Sequence, residues 1–478
     1  MKTVVRTRMA PSPTGELHVG GMSTLLKNYA WAKKNGGQFI LRIEDTDKER
    51  EVPGAVAEIQ QVIRDYGLDW DEGPGKGGEF GPYIQSQRME IYQQKAEELV
   101  ANGQAYYCFC TKERLEKVRE ELKANKQPPK YDKHCRSLTS AEAQAKKEAG
   151  ESCVIRLKVP EDKPVVVDDL LRGEIIINSN QVDDQVLLKS DGYPTYHLAV
   201  VVDDHLMNIS HIMRGEEWIS SAPKHVLLYE AFGWEKPTFV HIPVFLNPDG
   251  KGKMSKRKGT VSARSFLDRG YLPEAMLNFF MILGWAKEDQ EEVMTLAEYI
   301  EAFDPKDLSP KSVAFDLQKL NWLNGVYIRK LPMKLLAEKL QPFLPANFPK
   351  DKLTAILPLV FERLVTLADI DELTQFFYQD EQPDQQLLLK KATPSLVAEQ
   401  LTMTIKELTK IDDWRAENLE SAIRVLQEKN DWHRGQYFML LRLAVTGRKA
   451  TPPLFETMAV IEKPTVLARL DKAIKLVN

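Results

Sequence analysis

Two lysines three positions apart in the turn Lys253-Met254-Ser255-Lys256-Arg257, and the run PSPTGELHVGG at Pro11 to Gly21, are the residues here best suited to handling phosphate. Lys253 and Lys256 are mobile point charges that can follow negative charge as it moves onto a leaving group. His18 can donate to a phosphate oxygen. Gly20 and Gly21 present backbone N–H groups without side chains that would hold a nucleotide away. An isolated lysine cluster also fits a solvated basic loop, so neither motif decides alone.

A second set of residues suits carboxylate binding, because arginine presents a planar fork matched to that group. Arg8 precedes PSPTG with two residues between and sits at the end of the first β-like run, where open α/β sheets bind ligands, and Arg214 ends another such run. Each also reads as a surface ion pair. Glu44 precedes Asp45-Thr46-Asp47 and can equally be a helix-start carboxylate. Cys108, Cys110 and Cys135, with Tyr131 and His134 close by, can form a tetrahedral zinc site or remain reduced thiols. Cys153 lies in a β-like run and reads as core.

The elements that must position these groups follow from spacing. Thr3 to Met9 is a β-run closed by a Pro/Gly turn, and Leu25, Leu26, Tyr29 and Ala30 have helical spacing, giving strand, turn, helix with the dipole's positive end at His18 to Gly21. Phe39 to Ile43 is strand-like, while Val56 to Tyr66 and Met89 to Asn102 are helical, which predicts βαβ units and a parallel sheet. From Tyr106 to Lys189 the texture changes to a charged helix, a Pro-Pro break and β-rich segments, and reads as an insertion. Tyr196 to Asp203 and Asn208 to Met213 read as resumed parallel strands, with a helix at Lys224 to Phe232. From Asp304 onward the chain is mostly helical, with helical spacing at Leu359 to Leu367 and Tyr437 to Val445.

The bulk numbers restrict the classes. The 478 residues fit about three domains, and 43% hydrophobic composition gives ample core. The net charge of −4 means that any RNA surface is a local basic patch, clearest at Lys251 to Lys258. No apolar run reaches signal-peptide or membrane-spanning form, and four cysteines make no secreted disulfide framework, so a cytoplasmic protein without membrane contact is expected.

With RxAPSPTGxLHVGG, LRIEDTD (Leu41 to Asp47), DGYPTYHLA (Asp191 to Ala199), HIMRGEEW (His211 to Trp218) and KMSKRKG, the chain resembles the bacterial glutamyl-tRNA synthetases of class I. The resemblance implies an α/β fold: a split Rossmann-like catalytic core with an α+β insertion, then a mostly helical C-terminal anticodon-binding region. The implied division is core at 1–105 and 190–250, acceptor-end insertion at 106–189, KMSK loop and stem-contact region at 251–325, and anticodon domain at 326–478. It implies catalysis by His18, Lys253 and Lys256, and ATP binding by Gly20, Gly21, Glu217, Trp218, Lys253, Ser255 and Lys256. It places Arg8, Ser12, Glu44, Tyr196 and Arg214 around glutamate.

The same resemblance implies zinc on Cys108, Cys110, Tyr131 and Cys135, with His134 as the alternative ligand. Partners and cofactors would be ATP with Mg²⁺, L-glutamate and tRNA(Glu), with the protein acting as a monomer. Trp432, Arg434, Tyr437 and Arg448 are candidate RNA contacts in the tail, each also readable as core or solvated surface. A ligase for a modified base resembles only the catalytic part, and glutaminyl enzymes end in β-rich domains, whereas this tail is helical. A small-molecule adenylyltransferase accounts for HVGG and KMSK but not for FDLQKLNWLNGVYI.

Overall fold

The computed structural model describes residues 4–254 and 261–478. Two compact units form: one from Met1–Ser265 and Met276–Leu317, the other from Phe266–Ala275 and Gln318–Asn478. Among the described residues no helix is long and apolar enough to cross a membrane.

The first unit opens with β1 (Arg6–Met9), α1 (Val19–Lys34) and β2 (Gln38–Leu41), with β1 and β2 parallel in the register Arg6↔Gln38. Helix α1 starts on His18, whose Nδ1 accepts the Gly20 N–H at 2.9 Å, and ends with Lys33 and Lys34 against the negative end of its dipole. The chain continues through α2 (Ala55–Asp65), α3 (Met89–Ala101), β3 (Ala105–Cys108), α4 (Lys112–Ala124) and α5 (Ser140–Glu148), the last begun by a Thr139/Glu142 capping box. Next come β4 (Val154–Leu157), β5 (Pro164–Asp169), β6 (Gly173–Asn178) and β7 (Val186–Leu188).

Then α6 (Tyr196–Leu206), β8 (His211–Gly215), α7 (Ala222–Phe232) and β9 (Thr238–Ile242) complete a second βαβ unit, in which β8 and β9 are parallel. The Ser210 N–H donates to Arg6 O at 3.0 Å, setting β1 beside β8. Strand β5 pairs in parallel with β9, and β6 antiparallel with β5, while β3, β4 and β7 form a separate antiparallel sheet. The C-terminal ends of β1, β2, β8 and β9 therefore face one crevice, the usual ligand position for such sheets.

One expected strand is a helix. Tyr196 to Asp203 lies in α6, where Leu198 to Val202 are at most 2% exposed and Asp203 and Asp204 are buried as well. A short apolar run buried on all sides carries no period, and its β-branched valines bias the reading toward strand. Glu44 starts no helix either: it lies in extended chain after β2, and the next helix is α2, preceded by Gly54. Its N–H donates to Pro11 O at 3.0 Å, which ties the LRIEDTD segment to the PSPTG turn.

The second unit is helical, with long members at Leu317–Lys330, Pro394–Thr409, Ala416–Lys429, Arg434–Thr446 and Lys463–Val477. The helical spacing expected over 359–367 is only the end of a helix, Leu353–Val360 with Pro358 inside it, followed by a 3₁₀ turn at Phe361–Arg363. Leu401, Ile423, Tyr437, Leu441 and Leu470 are fully buried in one core. Tyr437, a candidate RNA contact, is thus a packing residue whose hydroxyl meets Thr404 Oγ1 at 2.6 Å. Trp432 packs against it, 4.8 Å between ring centroids. Arg448 is held on Glu381.

Candidate active site

A cavity of about 1040 Å³ lies at the C-terminal ends of the parallel strands. Its lining includes Arg8, Ser12, His18, Gly20, Gly21, Glu44, Tyr196, Arg214, Glu217, Trp218 and Lys253, so residues from five separated motifs meet in one place. Ser255 and Lys256, the remaining expected members, lie outside the described residues.

The phosphate-suited side of the cleft is built on the start of α1. With its Nδ1 accepting from Gly20, an uncharged His18 carries its proton on Nε2. A Cβ on Gly20 would approach that ring nitrogen to 3.2 Å, and one on Gly21 would meet Leu17 Cδ1 at 3.1 Å. The two glycines therefore make room first for the protein's own turn. Opposite them, Lys253 Nζ lies 3.0 Å from Glu217 Oε1. Gly215 makes that carboxylate position available, since a Cβ there would come within 2.1 Å of Glu217 Oε2. The half-buried Tyr196 ring packs on Trp218 with 4.5 Å between centroids, and burial pushes its phenol up to about 12.

The amino-acid-suited side is an array of buried charge. Arg8 Nε and Nη2 donate to Asp204 Oδ1 and Oδ2 at 3.0 and 3.1 Å, leaving Nη1 as the nitrogen that Asp204 does not take. Arg42 Nη1 shares Asp204 Oδ1 at 2.7 Å, and its Nη2 reaches Glu44 Oε1 at 3.0 Å. Neighbouring Asp203 accepts from Arg88 Nε at 2.8 Å, Tyr92 Oη at 2.8 Å and Gln85 Nε2 at 2.9 Å. Burial opposes ionisation of Asp204, but the two guanidiniums outweigh it and hold the carboxyl below the usual carboxylate range. At Glu44 burial prevails and raises the carboxyl in spite of Arg42.

Arg214 has different surroundings. Its Nε donates to His241 Nε2 and its Nη1 to His225 Nδ1, both at 3.1 Å, while Nη2 is buried and makes no hydrogen bond. Burial lowers its basicity, and the nearby Tyr196 phenol works against that. Asp203, Asp204, Arg42, His225 and His241 were not among the residues expected from sequence. The one signal for them was a pair of acidic residues inside an apolar run, VVVDD, which a buried element retains only when cations meet it.

The cysteine cluster forms apart from the cleft. The Cys108, Cys110 and Cys135 sulfurs lie within 4.8 Å of one another, with Cys110 and Cys135 3.5 Å apart. Tyr131 Oη stands 3.3 Å from Cys108 Sγ and 3.4 Å from Cys110 Sγ, so these four residues come together as expected. His134 is exposed and does not join the group. Cys153 is half-buried just before β4.

Comparison with known proteins follows this geometry. Residues 4–322 match the family model for class I tRNA synthetases (E and Q), catalytic domain, and residues 335–474 match an anticodon binding domain. A glutamate–tRNA ligase of Dehalococcoides mccartyi is 44% identical over 99% of this chain and 98% of its own length. One from Finegoldia magna is 44% identical over 98% and 99%. The crystal structure of a glutamate tRNA ligase from Elizabethkingia meningosepticum, in complex with its amino acid, superposes with a TM-score of 0.91 at 36% identity, covering 99% of this chain and all of that one.

Proposed function

The chain belongs to the glutamate–tRNA ligase family of class I tRNA synthetases, and from that premise we infer how its cleft performs the reaction. The protein joins L-glutamate to the 3′ end of tRNA(Glu) at the expense of ATP. The glutamate α-carboxylate attacks the ATP α-phosphorus, pyrophosphate leaves, and a terminal ribose hydroxyl of tRNA then takes the glutamyl group from the adenylate, releasing AMP. No side-chain nucleophile is needed, so alignment and charge stabilisation supply the rate.

The observation that carries this assignment of roles is the convergence of the motifs on one cleft. Backbone N–H groups at the start of α1 cradle the polyphosphate, and His18 donates to it from Nε2. Lys253 and Lys256 follow the departing pyrophosphate, while Glu217, Trp218 and Ser255 hold the nucleoside end. Arg8, Tyr196 and Arg214 surround the substrate carboxylates, with Ser12 and Glu44 toward the ammonium. Mg²⁺ bound with ATP would screen the triphosphate charge. Lys253 must exchange its contact with Glu217 for one with phosphate, a small cost because both groups are exposed.

Residues 106–189 receive the acceptor end, and the helical region beyond 325 reads the anticodon. The protein acts as a monomer, and its substrates ATP and tRNA are those of the cytoplasm. The decisive measurement is glutamate-dependent ATP–pyrophosphate exchange with and without tRNA(Glu), together with charging of that tRNA. Activity with another amino acid in place of glutamate would overturn the substrate assignment.

Zinc fits the cysteine cluster. Tetrahedral zinc–thiolate bonds place sulfurs about 3.8 Å apart, close to the spacing here, and Tyr131 supplies an oxygen as fourth donor. Protein purified without added zinc should carry about one equivalent and lose it in Cys108→Ser. A metal-free, fully active wild type would leave the cluster as ordinary thiols.

A further inference from the structure

Arg214 is the one pocket cation described above that has no carboxylate in contact. Arg8 and Arg42 share Asp204, and Arg42 also meets Glu44, whereas Arg214 donates its two 3.1 Å hydrogen bonds to imidazoles and has the Phe239 ring and the neutral Tyr196 phenol beside it. A guanidinium has donors only, so the ring nitrogen facing it must present a lone pair. His241 therefore keeps its proton on Nδ1, where it donates to Asp169 Oδ2 at 2.7 Å. His225 keeps its proton on Nε2 and donates to His197 Nδ1 at 3.0 Å. Asp169 is fixed in turn by the N–H groups of Leu171, Arg172 and His241, each at 3.0 Å. A hydrogen-bonded chain thus runs Asp169, His241, Arg214, His225, His197, with tautomers set throughout. At its centre Nη2 of Arg214 is buried without a partner, in a residue that lines the cleft.

We propose that His225 and His241 are positioning residues that grip Arg214 from two edges as uncharged acceptors, leaving Nη2 and the full guanidinium charge to select a substrate carboxylate over the corresponding amide. A carboxylate at either histidine position would hold Arg214 equally well but neutralise it, and the pocket would then lose its electrostatic reason to prefer glutamate to glutamine. An imidazole supplies the hydrogen bond without the charge. This inference rests on Arg214 contacting the amino acid, and the experiment separates the two claims.

In the full-length protein with tRNA present, KM for glutamate, KM for ATP and the glutamate-to-glutamine ratio of kcat/KM are measured for Arg214→Ala, His225→Leu, His225→Asn and His225→Asp, after circular dichroism has verified folding. His225→Leu should raise the glutamate KM about tenfold or more with the ATP KM unchanged, whereas His225→Asn, which retains an acceptor, should stay within about threefold of wild type. His225→Asp should lower the discrimination ratio about tenfold even where Arg214 remains held. A raised glutamate KM in Arg214→Ala alongside an unaltered KM and ratio in folded His225→Leu overturns the positioning role. An unaltered KM in Arg214→Ala overturns the pocket reading beneath it. If the leucine form does not fold, the Asn and Asp forms decide, and equal discrimination by the two overturns the proposal.

Discussion

At the scale of single residues, Asp204 governs how Arg8 can act. Two of the three guanidinium nitrogens of Arg8 are committed to it, so Arg8 meets a ligand as a pre-oriented, partly neutralised donor, while Arg214 retains its charge. The histidines around Arg214 make a pH prediction. Burial pushes His197 down to about 4 and His225 well below its usual range, so the folded protein keeps both uncharged. The unfolded chain binds protons on them below about 6.5, so between that pH and about 4 it holds more protons than the native state and stability falls as pH falls. Each group contributes at most about 1.4 kcal/mol per pH unit across its window. Urea midpoints at pH 7 and pH 5 should differ in wild type and differ less in His197→Asn, and equal pH slopes in the two proteins would contradict the account. Gly20, Gly21, Arg8, Arg214 and Lys253, which line the cleft, stood out in the sequence because their chemistry shows in residue type. Their partners did not, since Arg8 and Asp204 are 196 positions apart and no spacing rule links them.

At the scale of elements, α1 and α6 show two different limits of reading spacing. Helix α1 announced itself through its turn, its glycines and its apolar period. Helix α6 did not, because its apolar run is buried on every side and only the residues before and after it mark its ends. Helix α1 also contains something its pattern concealed: Lys27 is buried, with Ser23 Oγ at 2.7 Å and the Phe280 carbonyl at 3.3 Å as its hydrogen-bond partners. Burial lowers it to about 7. The unfolded lysine titrates near 10.4, so stability rises with pH from about 7 to about 10, and below 7 the cost of burying the ammonium is felt in full. Lys27→Met should therefore stabilise the protein by about 1–4 kcal/mol at pH 7 and by less at pH 10. Chemical denaturation at the two pH values tests this, and a destabilised or pH-independent difference would mean that the amine contributes more than its burial costs.

At the scale of the whole molecule, the helical unit is not a simple C-terminal continuation of the chain. It takes in Phe266–Ala275, far upstream of its main body at Gln318–Asn478. The reason is visible in three contacts: the Leu272 N–H donates to Asn324 Oδ1 at 2.9 Å, Asn324 Nδ2 to Val365 O at 2.6 Å, and the Leu367 N–H to Gly270 O at 2.9 Å. Gly270 has a φ of +84°, and a Cβ there would come within 2.5 Å of the Ala368 nitrogen, so the early segment enters the unit only as glycine. Leu272 and Ala275 complete the helical core. Such membership has no signature in local spacing, because it is set by a fully buried asparagine that joins three distant stretches. A single cut in the chain consequently cannot release the helical unit with its core intact. Asn324→Ala leaves the buried Leu272 N–H unpaired and removes the donor to the carbonyl of the exposed Val365, which should destabilise this unit by about 1–3 kcal/mol. Hydrogen exchange should then show faster exchange at the Leu272 and Leu367 amides, with the β8 and β9 amides of the first unit as protected as before. Equal loss of protection in both units would mean that the two unfold as one, and that Asn324 supports the whole chain and not the helical unit alone.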